Sequence, residues 1–253
     1  MDAVARILAA RRAAGFFPDL GAEAPADVAA GYALQYRLAQ AMGAVPPAGF
    51  KVGATAKGMQ AYLGLSHPCA GFCPAEGLQQ HHGTFRFTDY RQAGVECEIG
   101  LRLAHDLAPG VHSREALVEA VEHVFPAIEV VDQRYEDFVA LGAPGIIADQ
   151  VFHAGGVTGA PASGWPGLDL AAARGRVLVN GVERGQGLGA ELLGHPLESL
   201  AWLAASPTAE IFGGLRAGQV VFLGSVTPPI WLDGPCEVTV SFDLLGEVTA
   251  RFV

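Results

Sequence analysis

Two glutamates stand two positions apart in the apolar segment 95–103. Because side chains alternate between the faces of a strand, Glu96 and Glu98 point to one face and their apolar neighbours to the other. Their Cα atoms lie about 6.6 Å apart at roughly 3.3 Å per residue. Carboxylates this close repel each other unless a cation separates them, and two such groups on one face can share a hard cation. The pattern fits a shared cation or the solvated face of an amphipathic strand.

A third carboxylate, Glu129, interrupts the apolar segment 126–131. A buried carboxylate without a partner is costly, so Glu129 needs a cation. Arg134 is near in sequence and offers a buried ion pair. A metal ion shared with Glu96 and Glu98 accounts for all three acids at once. A ligand set made only of oxygen atoms suits Mg²⁺ or Mn²⁺ better than zinc.

A lysine, Lys51, stands between Phe50 and Val52 with a glycine on either side. Apolar surroundings can lower the pKa of a lysine and make it an acid or base, and the ammonium can also hold a substrate carboxylate. The alternative is a lysine on an edge strand whose stem lies along the core. The spacing of Cys69 and Cys73, with His67 nearby, is poor for a zinc site.

Apolar residues at helical spacing, preceded by capping residues or proline, predict the helices that frame these side chains. We expect helices over 2–14, 25–42, 55–65, 113–124 and 196–205. Alternating or continuous apolar runs predict strands over 49–53, 95–103, 127–131 and 219–223. Turn residues predict two hairpins, over 176–183 and 236–253. Residues 66–92, rich in Gly, Pro and His, predict an irregular stretch.

Helices and strands that do not alternate regularly indicate an α+β fold with a sheet-rich roll or sandwich at its core. We expect an N-terminal helical portion over 1–70 and a β-rich, metal-binding catalytic domain over 71–253. The 253 residues, 51% hydrophobic and 17% charged, exclude a wholly disordered chain. A net charge of −10 argues against nucleic acid as the main partner.

The start of the chain lacks a secretory signal, and no apolar run approaches the roughly 18 residues of a membrane span. We therefore expect no membrane association. The four cysteines form no CxxC motif, which favours a reducing cytoplasm with cysteines as small core residues.

The sequence resembles the 2-keto-4-pentenoate hydratases of the fumarylacetoacetate hydrolase superfamily, to which the 4-oxalocrotonate decarboxylases are closely similar. The resemblance begins with the run GFKVGAT at 49–55 and extends from about residue 30 to the C-terminus. Its later motifs are Met59-Gln60, Leu63-Gly64, Pro68, Gly71, Glu96-x-Glu98, Glu129, Gly194-His195-Pro196-Leu197, Ala201-Trp202-Leu203, Leu215-x-Ala217-Gly218 and Leu223-Gly224-Ser225.

This resemblance implies a mixed β-roll with an N-terminal helical portion, a homo-oligomer, and a lyase that adds water to a small 2-hydroxydienoate or 2-oxo-enoate in aromatic catabolism. It implies Mg²⁺ or Mn²⁺ on Glu96, Glu98 and Glu129, chelating the carboxylate and 2-oxo oxygens of the substrate. Lys51 matches the active-site lysine of the family. Thr55 and Gln60 match positions near the substrate.

The sequence departs from the hydratases at two positions. Cys69 stands where they usually carry an aspartate that helps to activate water, and neutral cysteine is a poor substitute. In the segment that includes Gln150, a further position expected to contact substrate, Phe152 replaces a serine. His153 follows and is a candidate base or an ordinary loop histidine.

These departures keep other activities open. They are decarboxylation of the 4-oxalocrotonate type or tautomerisation on the same metal site, hydrolysis of a C–C bond in an acylpyruvate, and binding of a 2-oxo acid without turnover.

Overall fold

The computed structural model of the protein describes residues 2–253, except for the side chain of Phe138. Met1, the first residue of the predicted N-terminal portion, lies outside the described residues. The helices are α1 (Ala3–Arg12), α2 (Val28–Ala41), α3 (Lys57–Tyr62), α4 (Arg114–Ala120), α5 (Phe138–Ala148), α6 (Pro196–Ala204) and α7 (Pro207–Phe212). The strands are β1 (Gly49–Gly53), β2 (Cys69–Cys73), β3 (Leu78–Gln80), β4 (His82–Phe85), β5 (Ala93–Leu103), β6 (Val121–Asp132), β7 (His153–Thr158), β8 (Arg174–Val179), β9 (Val182–Leu188), β10 (Val220–Ser225), β11 (Ile230–Trp231), β12 (Cys236–Phe242) and β13 (Gly246–Phe252).

The strands form two mixed sheets. The eight-stranded sheet has the order β2-β1-β10-β5-β6-β7-β3, and β11 pairs with β5. The five-stranded sheet has the order β4-β13-β12-β8-β9. Parallel pairs, such as β1 with β10, lie beside antiparallel ones, such as β5 with β6. The predicted α+β class is therefore confirmed.

Capping side chains define where the first two helices begin. Asp2 accepts a hydrogen bond from the backbone N–H of Ala5, and Asp27 accepts one from Ala30. Because the Asp27 cap fixes the first turn, α2 begins three residues later than Pro25, where we predicted its start. Strand β1, from the predicted N-terminal portion, pairs with β10. The division between residues 70 and 71 stays a prediction.

The prediction of an irregular stretch over 66–92 is wrong. Strands β2, β3 and β4 lie within it and pair with β1, β7 and β13. Two of these partners are far away in sequence, so local periodicity could not reveal the pairing. The helix predicted over 113–124 is also too long. It ends at Ala120, and from Val121 the chain pairs with β5, so sheet pairing overrides the local helical pattern.

Both predicted hairpins are present. Strands β8 and β9 join through Asn180 and Gly181, whose φ angles of 50° and 78° are typical of a tight two-residue turn. Strands β12 and β13 pair along their whole length. Among the helices of residues 2–253, none is both long enough and apolar enough to cross a membrane.

Candidate metal centre

Three glutamates converge on the eight-stranded sheet. Glu96 on β5 pairs directly with Glu129 on β6, and Glu98 is two positions further along β5. One oxygen atom from each carboxylate lies within 4.8 Å of the other two. Glu98 and Glu129 are fully buried, whereas Glu96 is partly exposed. The alternative interpretation, in which Glu96 and Glu98 lie on the solvated face of an amphipathic strand, is therefore wrong.

The carboxylate cluster fits a divalent cation. Oε2 of Glu98 accepts a hydrogen bond from the backbone N–H of Gly224 at 2.8 Å, but Oε1 of Glu98 and Oε2 of Glu129 have no hydrogen-bond partner. Buried carboxylate oxygens without partners are costly, and a hard cation satisfies them. Within residues 2–253, this is the one group of three or more His, Cys, Asp or Glu side chains close enough to hold an ion.

The three carboxyl groups differ in their affinity for protons. Burial, reinforced by Glu129, raises the pKa of Glu96 to about 7 and that of Glu98 well above its usual value. Burial alone would also raise the pKa of Glu129, but Lys51 and His153 outweigh it and lower that pKa. Glu129 is therefore the fully charged member of the cluster at neutral pH, Glu96 is about half protonated, and a cation must displace the protons on Glu96 and Glu98.

Lys51 is the cation nearest to Glu129. Its Nζ atom lies 3.3 Å from Oε1 of Glu129. Burial opposes the charge of Lys51, but the glutamates outweigh it and raise the pKa, so the lysine is protonated at neutral pH. This is opposite to the lowered pKa considered from the sequence. The edge-strand alternative is also wrong, because β1 lies between β2 and β10.

The ion pair between Glu129 and Arg134 that the sequence offered does not form. Arg134 instead binds both carboxylate oxygens of Asp149. Arg11 binds the same carboxylate at 2.9 Å and the carbonyl of Asp149 at 2.8 Å. It also donates to the carbonyl of His153 at 3.4 Å. The two arginines clamp the segment 149–152, which directly precedes β7.

The clamped segment has unusual backbone geometry. Gln150, Val151 and Phe152 have φ angles of 61°, 53° and 67°, so three consecutive residues with side chains adopt the left-handed conformation. Each costs roughly 1–2 kcal/mol for an L-residue. Gly71 on β2 permits close packing here, since a Cβ atom at that position would lie 2.6 Å from the carbonyl oxygen of Gln150.

This segment places His153 against the carboxylate cluster. Nδ1 of His153 lies 2.9 Å from Oε1 of Glu129, and burial lowers the pKa of the ring. A neutral ring donates through Nδ1–H, so His153 orients the Glu129 carboxylate. The thiol of Cys73 lies 3.9 Å from the same nitrogen. Cys73, considered from the sequence only for a zinc site, is therefore a neighbour of the carboxylate cluster.

Cys69 lies near Lys51 on the same face of the sheet. A Cβ atom at Gly53, the cross-strand partner of Cys69, would lie 3.3 Å from Nζ of Lys51 and 3.6 Å from Sγ of Cys69. Burial raises the pKa of Cys69 to about 12. The thiol is therefore neutral at physiological pH and cannot replace an aspartate as a base. His67, the third residue considered for a zinc site, bonds through Nδ1 to the carbonyl of Pro68.

The three predicted substrate-contacting residues separate in the structure. Thr55 lines a cavity of about 550 Å³ together with Lys51 and Glu96. Gln60 is buried, donates to the carbonyl of Ala54 at 2.9 Å and is absent from the lining of this cavity. Gln150 donates to the carbonyl of Phe72 at 2.9 Å and lines a different cavity.

Two features of the site escaped residue-by-residue prediction. Gly224 supplies the hydrogen bond to Glu98 from a backbone with φ of 112°, which favours glycine. Glu191 and Trp231 line the cavity although they are distant in sequence from the cluster. Gly224, which directly follows the strand predicted over 219–223 and lies within β10, was the available signal for the first feature. Nothing in the sequence pattern marks the second.

Divalent cations are expected to stabilise the folded protein by relieving repulsion within the cluster. At a Mg²⁺ or Mn²⁺ concentration 100 times the Kd, binding contributes about 2.7 kcal/mol. For a chain of this size that raises Tm by about 5–10 °C, measured by calorimetry with metal and then with EDTA. Because protons compete with the metal, the increase in Tm diminishes as the pH falls through about 7, the pKa of Glu96. A Tm that is independent of metal at pH 8 would contradict the site.

Thiol labelling tests the neutral state of Cys69. All four cysteines are free, and Cys236 alone is not fully buried. Since reactivity requires an accessible thiolate, we expect an aromatic disulfide reagent at pH 8 to label Cys236 first, at a rate slowed because partial burial raises its pKa, and the other three only after unfolding. The Cys236→Ser variant should lose this first phase. Rapid labelling of the Cys69 peptide, identified by mass spectrometry, would show that its thiol is reactive.

Comparison with known proteins gives concordant matches. A family model described as fumarylacetoacetate (FAA) hydrolase C-terminal matches residues 52–253. The chain is 35% identical over 208 residues to 2-hydroxyhexa-2,4-dienoate hydratase of Comamonas testosteroni, covering 79% of this chain and 74% of that protein. It is 31% identical over 206 residues to 4-oxalocrotonate decarboxylase of Pseudomonas putida, covering 81% and 77%.

The structure is similar to that of 4-oxalocrotonate decarboxylase from Pseudomonas putida G7 complexed with magnesium and adipate. The TM-score is 0.88 at 28% identity, over 99% of this chain and 95% of that one. This similarity confirms the predicted mixed β-roll with an N-terminal helical portion.

Proposed function

Because the chain belongs to the fumarylacetoacetate hydrolase family, we propose that it is a divalent-metal-dependent lyase of the hydratase type. Its substrate is a small 2-hydroxydienoate or 2-oxo-enoate, of the kind formed in aromatic catabolism. Relatives named as hydratases and as decarboxylases support the lyase class, and a magnesium complex of a relative supports the metal. One observation carries the proposal, namely that Glu96, Glu98 and Glu129 converge beside Lys51 at a cavity.

The residues divide the work of such a reaction. The three glutamates hold the cation, which when bound supplies Lewis acidity toward the 2-oxo group of the substrate. Lys51 is a protonated donor at the edge of the cavity, so it binds the substrate carboxylate or gives a proton to the carbon skeleton. His153 orients Glu129 through its Nδ1–H. The apolar side chains of the cavity wall lower the local dielectric constant and strengthen these electrostatic interactions.

Decarboxylation or tautomerisation is the second candidate, and Cys69 is the observation that favours it. Addition of water requires a base near the reacting carbon, and the Cys69 thiol, with a pKa of about 12, does not supply one. Proton transfer within a 2-oxo acid and loss of CO₂ need the cation and Lys51 but no activated water. Hydrolysis of an acylpyruvate and binding without turnover are less well supported alternatives.

Turnover of freshly generated 2-hydroxypenta-2,4-dienoate, with Mg²⁺ and then with EDTA, tests the proposal. Mass spectrometry of the product distinguishes the reactions. Gain of one water that EDTA prevents supports the hydratase. Absence of turnover by protein that still binds Mg²⁺ would overturn the hydratase proposal. Release of CO₂ from a dienedioate by the same protein would then identify a decarboxylase. Formation of two smaller acids from an acylpyruvate would identify a hydrolase.

We also propose a cytoplasmic homo-oligomer. The four free cysteines are consistent with a reducing compartment. The homo-oligomer is the state that the resemblance to the hydratases implies. Light scattering at several protein concentrations measures the oligomeric state.

A further inference from the structure

The cavity beside the carboxylate cluster has an apolar wall. Beyond Lys51 and Glu96, its lining consists mainly of aliphatic, aromatic and proline side chains. This apolar wall includes Val131, Val151, Phe152, Val226, Pro229 and Trp231. The left-handed segment 150–152 contributes two of them, so the clamped backbone shapes this wall.

The charges around the cavity are unfavourable to a second anionic group. Lys51 is the one cationic side chain among the lining residues, and it already lies 3.3 Å from Glu129. A divalent cation and Lys51 together neutralise the three clustered glutamates. The net charge of this group is then zero. The head carboxylate of a 2-oxo acid would coordinate the cation, and no positive charge is left for a second carboxylate. Glu191, an exposed residue of the lining, adds a negative charge.

The neutral polar groups that line the cavity add no positive charge to it. Thr227 is 6% exposed and its hydroxyl oxygen has no hydrogen-bond partner, and Gln133 is also part of the lining. These groups can bond to a hydroxyl or carbonyl of a substrate tail. Neither supplies the positive charge that a buried carboxylate requires.

We propose that this site selects 2-oxo monocarboxylates with an apolar tail and rejects dicarboxylates, and that Glu191 is a residue that sets this preference. The inference rests on the proposed hydratase function, because it assumes that the 2-oxo acid head binds at the metal. It argues against the second candidate function, in which the substrate is a dienedioate. A terminal carboxylate would lose water without gaining a cation and would meet the negative charge of Glu191.

The size of the cavity extends the proposal to longer tails. A volume of about 550 Å³ exceeds what a five-carbon acid fills. Each methylene buried against the wall is worth about 0.8 kcal/mol, so affinity should rise by about fourfold per added carbon until the wall is covered.

A matched pair of stable acids tests this preference. 2-Oxohexanoate and 2-oxoadipate have the same length and head group and differ at the far end, where one has a methyl group and the other a carboxylate. Calorimetric titration of each into the Mg²⁺-loaded protein gives the two Kd values. We expect 2-oxohexanoate to bind at least tenfold more tightly, and Glu191→Lys to reduce that ratio by at least fivefold. The charge-matched control is Glu247→Lys, because Glu247 is exposed on β13 and is absent from the lining.

The possible outcomes distinguish failure of the proposed preference from failure of the proposed function. Equal affinities, or tighter binding of 2-oxoadipate, would overturn the preference and leave the proposed function intact. An equal effect of Glu191→Lys and Glu247→Lys would overturn the role of Glu191. Failure of both acids to bind the metal-loaded protein would overturn the proposed function and the preference with it.

Discussion

Replacing Glu129 with glutamine is expected to weaken Mn²⁺ binding by about a hundredfold or more and to abolish turnover. Glutamine keeps the shape of the side chain and an oxygen that accepts hydrogen bonds from Lys51 and His153. It removes the charge of the one cluster member whose pKa lies below its usual value. The remaining two carboxyls have raised pKa values and bind protons in competition with the metal.

Titration calorimetry with Mn²⁺ at pH 8 measures this loss. The matched control is Glu122→Gln, which makes the same change on the same strand at an exposed position. This control should bind Mn²⁺ as the unaltered protein does. Unchanged Mn²⁺ affinity in Glu129→Gln would show that Glu129 is not a ligand, and the ion would then lie elsewhere.

Replacing Lys51 with methionine is expected to separate metal binding from activity. The ammonium lies 3.3 Å from Glu129 and repels an incoming divalent cation, so its removal should leave Mn²⁺ affinity unchanged or higher. Turnover should fall by about a hundredfold to a thousandfold, because the site loses its charged donor toward the substrate. Methionine fills a similar volume in the buried position, which limits the loss of packing.

Steady-state kinetics and Mn²⁺ titration of the same preparation test this separation. Lys57→Met is the control, since Lys57 is exposed and donates to Gln60 at 3.2 Å outside the cavity lining. Parallel losses of Mn²⁺ affinity and activity in Lys51→Met would indicate that Lys51 supports the shape of the site and does not act on the substrate.

The carboxylate pair on β5 could be predicted from the sequence because strand alternation is a local property. Glu129 could be predicted from a second local property, because a carboxylate within an apolar run needs a cation. Its actual partners, Lys51 and His153, could not be identified from spacing, because they come from β1 and from the start of β7. Pairing between distant strands decides such contacts, and a single sequence does not specify it.

The backbone conformation of the segment before β7 also could not be predicted from the sequence. Gln150, Val151 and Phe152 carry no signal for the left-handed conformation, which glycine and asparagine favour. The conformation is held by Arg11 and Arg134 on Asp149, contacts that span up to 138 residues. Local propensity therefore gave no indication of how Phe152 enters the cavity.

The hypothesis that three glutamates hold one divalent cation is tested most directly by crystals grown with Mn²⁺ and measured at a wavelength where manganese scatters anomalously. We predict one strong anomalous peak within direct bonding distance of an oxygen atom from each of Glu96, Glu98 and Glu129. Lys51 should lie next to this peak without contacting it. No anomalous density between the three carboxylates in crystals that contain saturating Mn²⁺, with Lys51 still paired to Glu129, would contradict the metal centre.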